Sequence, residues 1–97
     1  MNTPPVILAI AGSDPSGGAG IQADIKTVSA LGGYAAAAVT AITVQNTRGV
    51  AQVEYLSPET VGRQCGAVIE DLSPDAVKIG MTGTPAIISA IAEVLER

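Results

Sequence analysis

The sequence predicts an α/β fold built on a mainly parallel β-sheet. Three observations carry that prediction. Short, β-branched apolar runs alternate with segments whose apolar residues recur at helical spacing. The first run, Val6-Ile7-Leu8-Ala9-Ile10-Ala11, is apolar without interruption, which suits a strand buried on both faces. Glycine-rich and polar segments then fall at the ends of the strands, where open α/β sheets bind ligands.

Each element follows from local chemistry. The strand Val6–Ala11 ends in Gly12-Ser13-Asp14-Pro15. Over Gly20–Leu31, Ile21, Ile25, Val28 and Leu31 stand at offsets 0, 4, 7 and 10, one apolar face of a helix, and Gly32-Gly33 stops it. Ala35–Ala38 would tolerate a helix, but Val39-Thr40-Ala41-Ile42-Thr43-Val44 favours a strand, expected to start near Ala36. Gln45–Gly49 reads as a polar turn, and Val50–Leu56 as a half-exposed strand. Ser57-Pro58-Glu59 opens a helix with an N-cap, a first-position proline and an acid in the first turn. Val61, Cys65, Val68, Ile69 and Leu72 line its inner face, and Ser73-Pro74 ends it. Ala76–Ile79 is a short strand closed by Gly80-Met81-Thr82-Gly83. A last helix starts at Thr84-Pro85, with Ile87, Ile88, Ile91, Val94 and Leu95 expected inward.

The chain has 97 residues, room for one small domain. With 47% apolar and 14% charged residues it is globular rather than disordered. The absence of histidine excludes a Ser-His-Asp triad, a Cys-His pair and a His-ligated metal. A net charge of -4 without a basic run argues against nucleic-acid binding by charge. One cysteine excludes an internal disulfide. The start Met1-Asn2-Thr3-Pro4-Pro5 lacks a basic region, and Val6–Ala11 is too short for a membrane span, so a cytoplasmic protein without membrane contact is expected. A parallel sheet would be expected to continue past Arg97, and Ala76–Ile79 would lie at an edge. The sequence therefore reads as the opening portion of a larger domain.

The loop Gly12–Gly20 holds four glycines in nine residues. It is not a Walker loop, because Ala19 rather than lysine follows Gly18. Gly18–Ala23 matches G-x-G-x-x-A, but its first glycine lies seven residues past Ala11 and no acid follows at the dinucleotide spacing. Two readings stay open: a plain strand-to-helix turn, or a loop whose backbone lies close against a small ligand. Asp24 reads either as an acid favoured by the helix dipole or as a ligand contact on the loop side. Cys65 has no base and reads as a core residue. Met81 reads as core filling or as a flat apolar wall beside a ring.

Ala9–Thr27, with Gly12-Ser13-Asp14-Pro15-Ser16-Gly17-Gly18-Ala19-Gly20 at its centre, resembles the opening signature of the hydroxymethylpyrimidine/phosphomethylpyrimidine kinases of thiamine biosynthesis. Val39–Thr47 resembles their second signature and Val77-Lys78-Ile79-Gly80-Met81 their third, in the same order and at the same spacing. The resemblance covers this chain and well under half of a family member. It implies a three-layer αβα, ribokinase-like fold, of which residues 1–97 form a single, incomplete domain. It implies ATP- and Mg²⁺-dependent phosphorylation of 4-amino-5-hydroxymethyl-2-methylpyrimidine and of its monophosphate, by an enzyme that is a homo-oligomer when complete. By the same resemblance the pyrimidine lies over Gly12 and Ala19. Asp24 and Gln45 hydrogen-bond it, Thr43 adds backbone contacts and Met81 packs on the ring.

The family's Gly-Thr-Gly-Cys helix start, which holds the transferring phosphoryl group and supplies a base, has no counterpart here; Gln64-Cys65 and Met81-Thr82-Gly83-Thr84 do not match it. No catalytic residue and no metal ligand is therefore assigned to this chain. Two other functions stay open: a catalytically inactive pyrimidine-binding or assembly fragment, and a sister kinase for pyridoxine or pyridoxal.

Overall fold

The computed structural model describes residues 3–96, so the Met1-Asn2 start of the N-terminal segment and the Arg97 end lie outside the described residues. The elements run β1 (Val6–Ser13), α1 (Gly20–Ala30), β2 (Tyr34–Asn46), β3 (Gly49–Tyr55), α2 (Pro58–Leu72), β4 (Ala76–Ile79) and α3 (Pro85–Leu95). The four strands form one sheet in the order β3-β2-β1-β4. β1 pairs in parallel with β2 and with β4, whereas β2 and β3 are antiparallel. Only Thr47 and Arg48 separate β2 from β3, and so short a link can only reverse the chain. The side chain of Asn46 holds that reversal by accepting from the Arg48 amide at 2.9 Å.

β1 is central, and its continuous apolar run is explained by burial on both faces. Leu8 and Ile10, both fully buried, join Ala38, Val61, Cys65, Ile87 and Ile91 in the core beneath α2 and α3. The alternate residues Ala9 and Ala11, also buried, point to the opposite face, where α1 packs on β1 and β2. Helices therefore cover both faces of the sheet. Burying side chains such as Leu8 and Ile10 stabilises the fold by about 1.5–3 kcal/mol each.

The helix ends follow their local signals. Ser57 accepts from the Thr60 amide at 3.1 Å with Pro58 in the first turn, and Ser73 closes α2 in the left-handed conformation. Thr84 accepts from the Ile87 amide at 3.2 Å and is followed by Pro85. Among the described residues no helix is long and apolar enough to cross a membrane.

Several boundaries and faces differ from the sequence reading. β2 begins at Tyr34, two residues before the expected start, because pairing with β1 from Val6↔Tyr34 onward overrides the helical tendency of the alanines. The expected turn at Gln45–Gly49 shrinks to two residues. β3 is exposed along its whole length, not half-exposed, since it borders only β2 and no helix covers it. Leu31 is 83% exposed instead of inward, because α1 ends at Ala30 and Leu31 serves as its C-cap. Ile88 and Leu95 on α3 are exposed as well, so only part of that helix's apolar stripe is covered. The accessible surface is 5892 Å², above the roughly 5,100 Å² of a compact monomer of this mass. The flat shape, 45 × 30 × 14 Å, accounts for the excess.

Candidate functional site

The ends of β1, β2 and β4 converge on one side of the sheet and enclose a pocket of ≈ 290 Å³. Ala11 and Gly12 at the end of β1, Ala19 before α1 and Gly20 at its start supply backbone and small side chains, and Thr43 and Gln45 come from β2. Val50 and Val53 come from β3, and Lys78, Gly80 and Met81 from β4 and the segment after it. Most of the lining is apolar, with a few polar groups converging on it, as in small-molecule sites generally.

The loop between β1 and α1 is held by its own side chains. Asp14 is buried, and its Oδ1 accepts from the Ser16 hydroxyl at 2.7 Å and the Ser16 amide at 2.9 Å. Its Oδ2 accepts from the Gly18 amide at 3.1 Å. The Ser16 hydroxyl, followed by the Ser16, Ala19 and Gly18 amides, holds the Asp14 carboxyl below its ordinary value, against the opposing effect of burial. Helix α1 has no side-chain cap at Ala19, and the Asp14 carboxylate instead gathers the amides of the loop that precedes the helix. Gln22, one turn into α1, reaches back to the loop. Its Oε1 accepts from the Asp14 amide at 2.8 Å and its Nε2 donates to Ser13 Oγ at 2.7 Å. Lys26 Nζ donates to the Gly17 carbonyl at 3.0 Å. Gly20 has φ +58°, and a Cβ there would overlap the Gly12 carbonyl. The loop thus folds back on the end of its own strand, and Ser13 and Gly20 form a bridge.

The opposite wall is tied down through β2. Thr40 is fully buried, and its hydroxyl donates to the Met81 carbonyl at 2.7 Å. The Gly80 amide donates to the Ile10 carbonyl at 2.7 Å. Thr43 Oγ1 lies 2.7 Å from the Ser13 carbonyl and 2.9 Å from the Gln45 side-chain oxygen position. One hydroxyl proton cannot serve both acceptors. With that proton given to Ser13, the Gln45 amide turns its nitrogen toward Thr43, and its carbonyl becomes available as an acceptor.

Of the residues singled out from the sequence, the structure brings Gly12, Ala19, Thr43, Gln45 and Met81 together around this pocket. Thr43 lies there through its side chain, beyond the backbone contacts expected of it. Asp24 is not among the lining residues. Its carboxylate turns toward β4, with Lys78 Nζ 2.9 Å from Oδ1 and 3.1 Å from Oδ2, and not toward the glycine loop. Cys65 is buried in the core, as its helical offset implied, and burial pushes its thiol above the ordinary value.

Sequence reasoning passed over four contributors. Asp14 organises the loop, and the Asp-Pro-Ser-Gly string is itself a side-chain-stabilised turn signal. Gln22 and Thr40 act through backbone groups distant in sequence, which no local pattern reveals. Lys78 lies in the short edge strand Ala76–Ile79 immediately before the glycine segment, and because exposed edge strands commonly carry lysine, its residue type gave no local signal of a site role.

Among the described residues no group of three or more His, Cys, Asp or Glu side chains could hold a metal ion. The pocket's charged groups are Asp14 and Lys78. The arrangement suits a small molecule with a polar edge.

Comparison with known proteins identifies the family. The family profile described as phosphomethylpyrimidine kinase matches residues 14–97. The chain is 59% identical over 92 residues to a hydroxymethylpyrimidine/phosphomethylpyrimidine kinase of Rhizobium meliloti, covering 95% of this chain and 35% of that protein. It is 52% identical over 90 residues to the enzyme of the same name from Escherichia coli, covering 93% and 34%. Among solved structures, phosphomethylpyrimidine kinase from Clostridium difficile 630 superposes with a TM-score of 0.91 at 55% identity, over 95% of this chain and 40% of that one. A Staphylococcus aureus pyridoxal kinase in complex with AMP-PCP and pyridoxal superposes with a TM-score of 0.86 at 38% identity, over 98% and 35%. This chain therefore spans about a third of the length of the curated relatives it matches. The fold is ribokinase-like. The chain belongs to the phosphomethylpyrimidine kinase family.

Proposed function

We propose that this chain supplies the pyrimidine-binding part of a kinase that phosphorylates 4-amino-5-hydroxymethyl-2-methylpyrimidine and then its monophosphate in thiamine biosynthesis. The observation that carries the reading is the convergence of Gly12, Ala19, Thr43, Gln45 and Met81 on one pocket at the strand ends. In this reading the ring rests on the backbone of Gly12 and Ala19. Met81 and the β3 valines flank it and exclude water, and the Gln45 side chain pairs with its polar edge. The reaction joins the hydroxymethyl oxygen to the γ-phosphorus of ATP and releases ADP. ATP as donor is supported by the related pyridoxal kinase structures that carry AMP-PCP or ADP.

Mg²⁺ is implied by the resemblance alone. Among the described residues no group of three or more His, Cys, Asp or Glu side chains could hold a metal ion. This chain's part is to bind and orient, while phosphoryl transfer needs positioning and charge stabilisation at the transferring group. Residues 1–97 as one incomplete domain, a homo-oligomeric complete enzyme and a cytoplasmic location belong to the same proposal.

A second reading, a pyridoxal kinase, is favoured by the likeness to the S. aureus structure with pyridoxal. Equilibrium dialysis of the chain against hydroxymethylpyrimidine and pyridoxal separates the two. Preferential retention of hydroxymethylpyrimidine is expected, and preference for pyridoxal would overturn the assignment. A coupled ADP-release assay on the 97-residue chain is expected to show no turnover. Turnover above background would contradict the division of labour proposed here.

A further inference from the structure

We propose that Lys78 is a substrate-contacting residue of the strand-end pocket and that Asp24 is its positioning residue. The inference rests on the pyrimidine-kinase reading above. Lys78 lines the pocket and Asp24 does not. Both Asp24 oxygens lie within hydrogen-bond distance of Lys78 Nζ, at 2.9 and 3.1 Å. An ammonium group carries three donors, so two directed at Asp24 leave one free. Lys78 pairs in register with Ala9, on the α1 side of the sheet, and alternation turns Val77 and Ile79 to the other side.

The space for the ammonium is built in. A Cβ on Gly80 would lie 3.3 Å from Lys78 Nζ and 3.0 Å from the Ala11 Cβ. The tighter of these two contacts is with Ala11, and the head group of Lys78 lies next to the same space. Glycine at position 80 is not required by the backbone, since Gly80 is not among the positive-φ glycines.

Charge selects the acceptor. Asp24 neutralises Lys78, and Asp14 adds a negative charge to the pocket lining. A phosphate dianion would gain little from a paired ammonium and would be repelled by both carboxylates. The free donor therefore suits an uncharged acceptor, a ring nitrogen or a hydroxyl oxygen of a heteroaromatic alcohol. The phosphate of a monophosphate substrate would lie away from this end.

The test is titration of the isotopically labelled chain with hydroxymethylpyrimidine, following the Lys78 side-chain Cε and Nζ signals by NMR. Those signals are expected to shift and to saturate together with the Gln45 side-chain amide. Lys78→Met is expected to weaken binding about tenfold or more, and Lys78→Arg to restore part of the loss. Asp24→Asn is expected to move the Lys78 signals in the free chain and to weaken binding less than Lys78→Met. Inorganic phosphate is expected to leave the Lys78 signals in place. The unsubstituted chain's own signals decide the matter if a variant does not fold. Binding that leaves the Lys78 signals unmoved, or that is lost in Asp24→Asn but kept in Lys78→Met, overturns the inference and spares the functional reading. Displacement by inorganic phosphate overturns the choice of acceptor. No binding by the unsubstituted chain overturns the functional reading, and this inference with it.

Discussion

The methyl end of Met81 occupies the space that a side chain on Gly12 would need: an ideal Cβ there would lie 2.5 Å from Met81 Cε. The two residues come from different strand ends and meet in the pocket wall. Methionine is flexible, and Met81 is partly exposed, so it can swing away. Gly12→Ala is therefore expected to cost less than about 1 kcal/mol of stability while weakening retention of hydroxymethylpyrimidine several-fold. Urea unfolding beside equilibrium dialysis checks both halves. A large loss of stability with unchanged binding would contradict the account.

Gly20 is a different case. Its φ of +58° is strained for other residues, and its added Cβ would meet the Gly12 backbone, which cannot swing aside. Gly20→Ala is expected to destabilise the fold by about 1–3 kcal/mol, seen as a lower urea midpoint. An unchanged midpoint would show that the loop tolerates another path.

Asp14 links the loop to pH. Its carboxyl is held below the ordinary value of 3.8, chiefly by the Ser16 hydroxyl. A group depressed in the folded state contributes stability that is fully present above its unfolded value. That contribution is lost as pH falls through the folded value. The stability difference between the parent chain and Asp14→Asn is therefore expected to be constant from neutral pH down to about pH 5 and to shrink below pH 4. Denaturant melts across that range test it, and a difference that grows on acidification would refute it.

Cys65 is fully buried, and burial raises its thiol above the ordinary 9.0. Little thiolate forms near neutral pH, and reagents cannot reach it. Labelling by a thiol-specific disulfide reagent at pH 8 is expected only as fast as the chain opens, and at once in denaturant. Rapid labelling of the folded chain would contradict the core placement.

Elements with a strong local signature were legible in the sequence. The β1 run, the Ser57-Pro58 and Thr84-Pro85 helix starts and the alternation of strands with helices each rest on neighbouring residues. What depends on partners distant in sequence was not legible. The start of β2 is set by pairing with Val6, the exposure of β3 by the lack of a covering layer, and the direction of Asp24 by Lys78, 54 residues away. Periodicity places a residue on a face but does not name the neighbour that face will meet.

The amide spectrum of the folded chain during titration with hydroxymethylpyrimidine tests the central claim most directly. The account predicts saturable shifts confined to the strand-end pocket, at Gly12, Ala19, Thr43, Gln45 and Met81, with α2 and α3 undisturbed. An unchanged spectrum, or shifts gathered instead on α2 and α3, would contradict it.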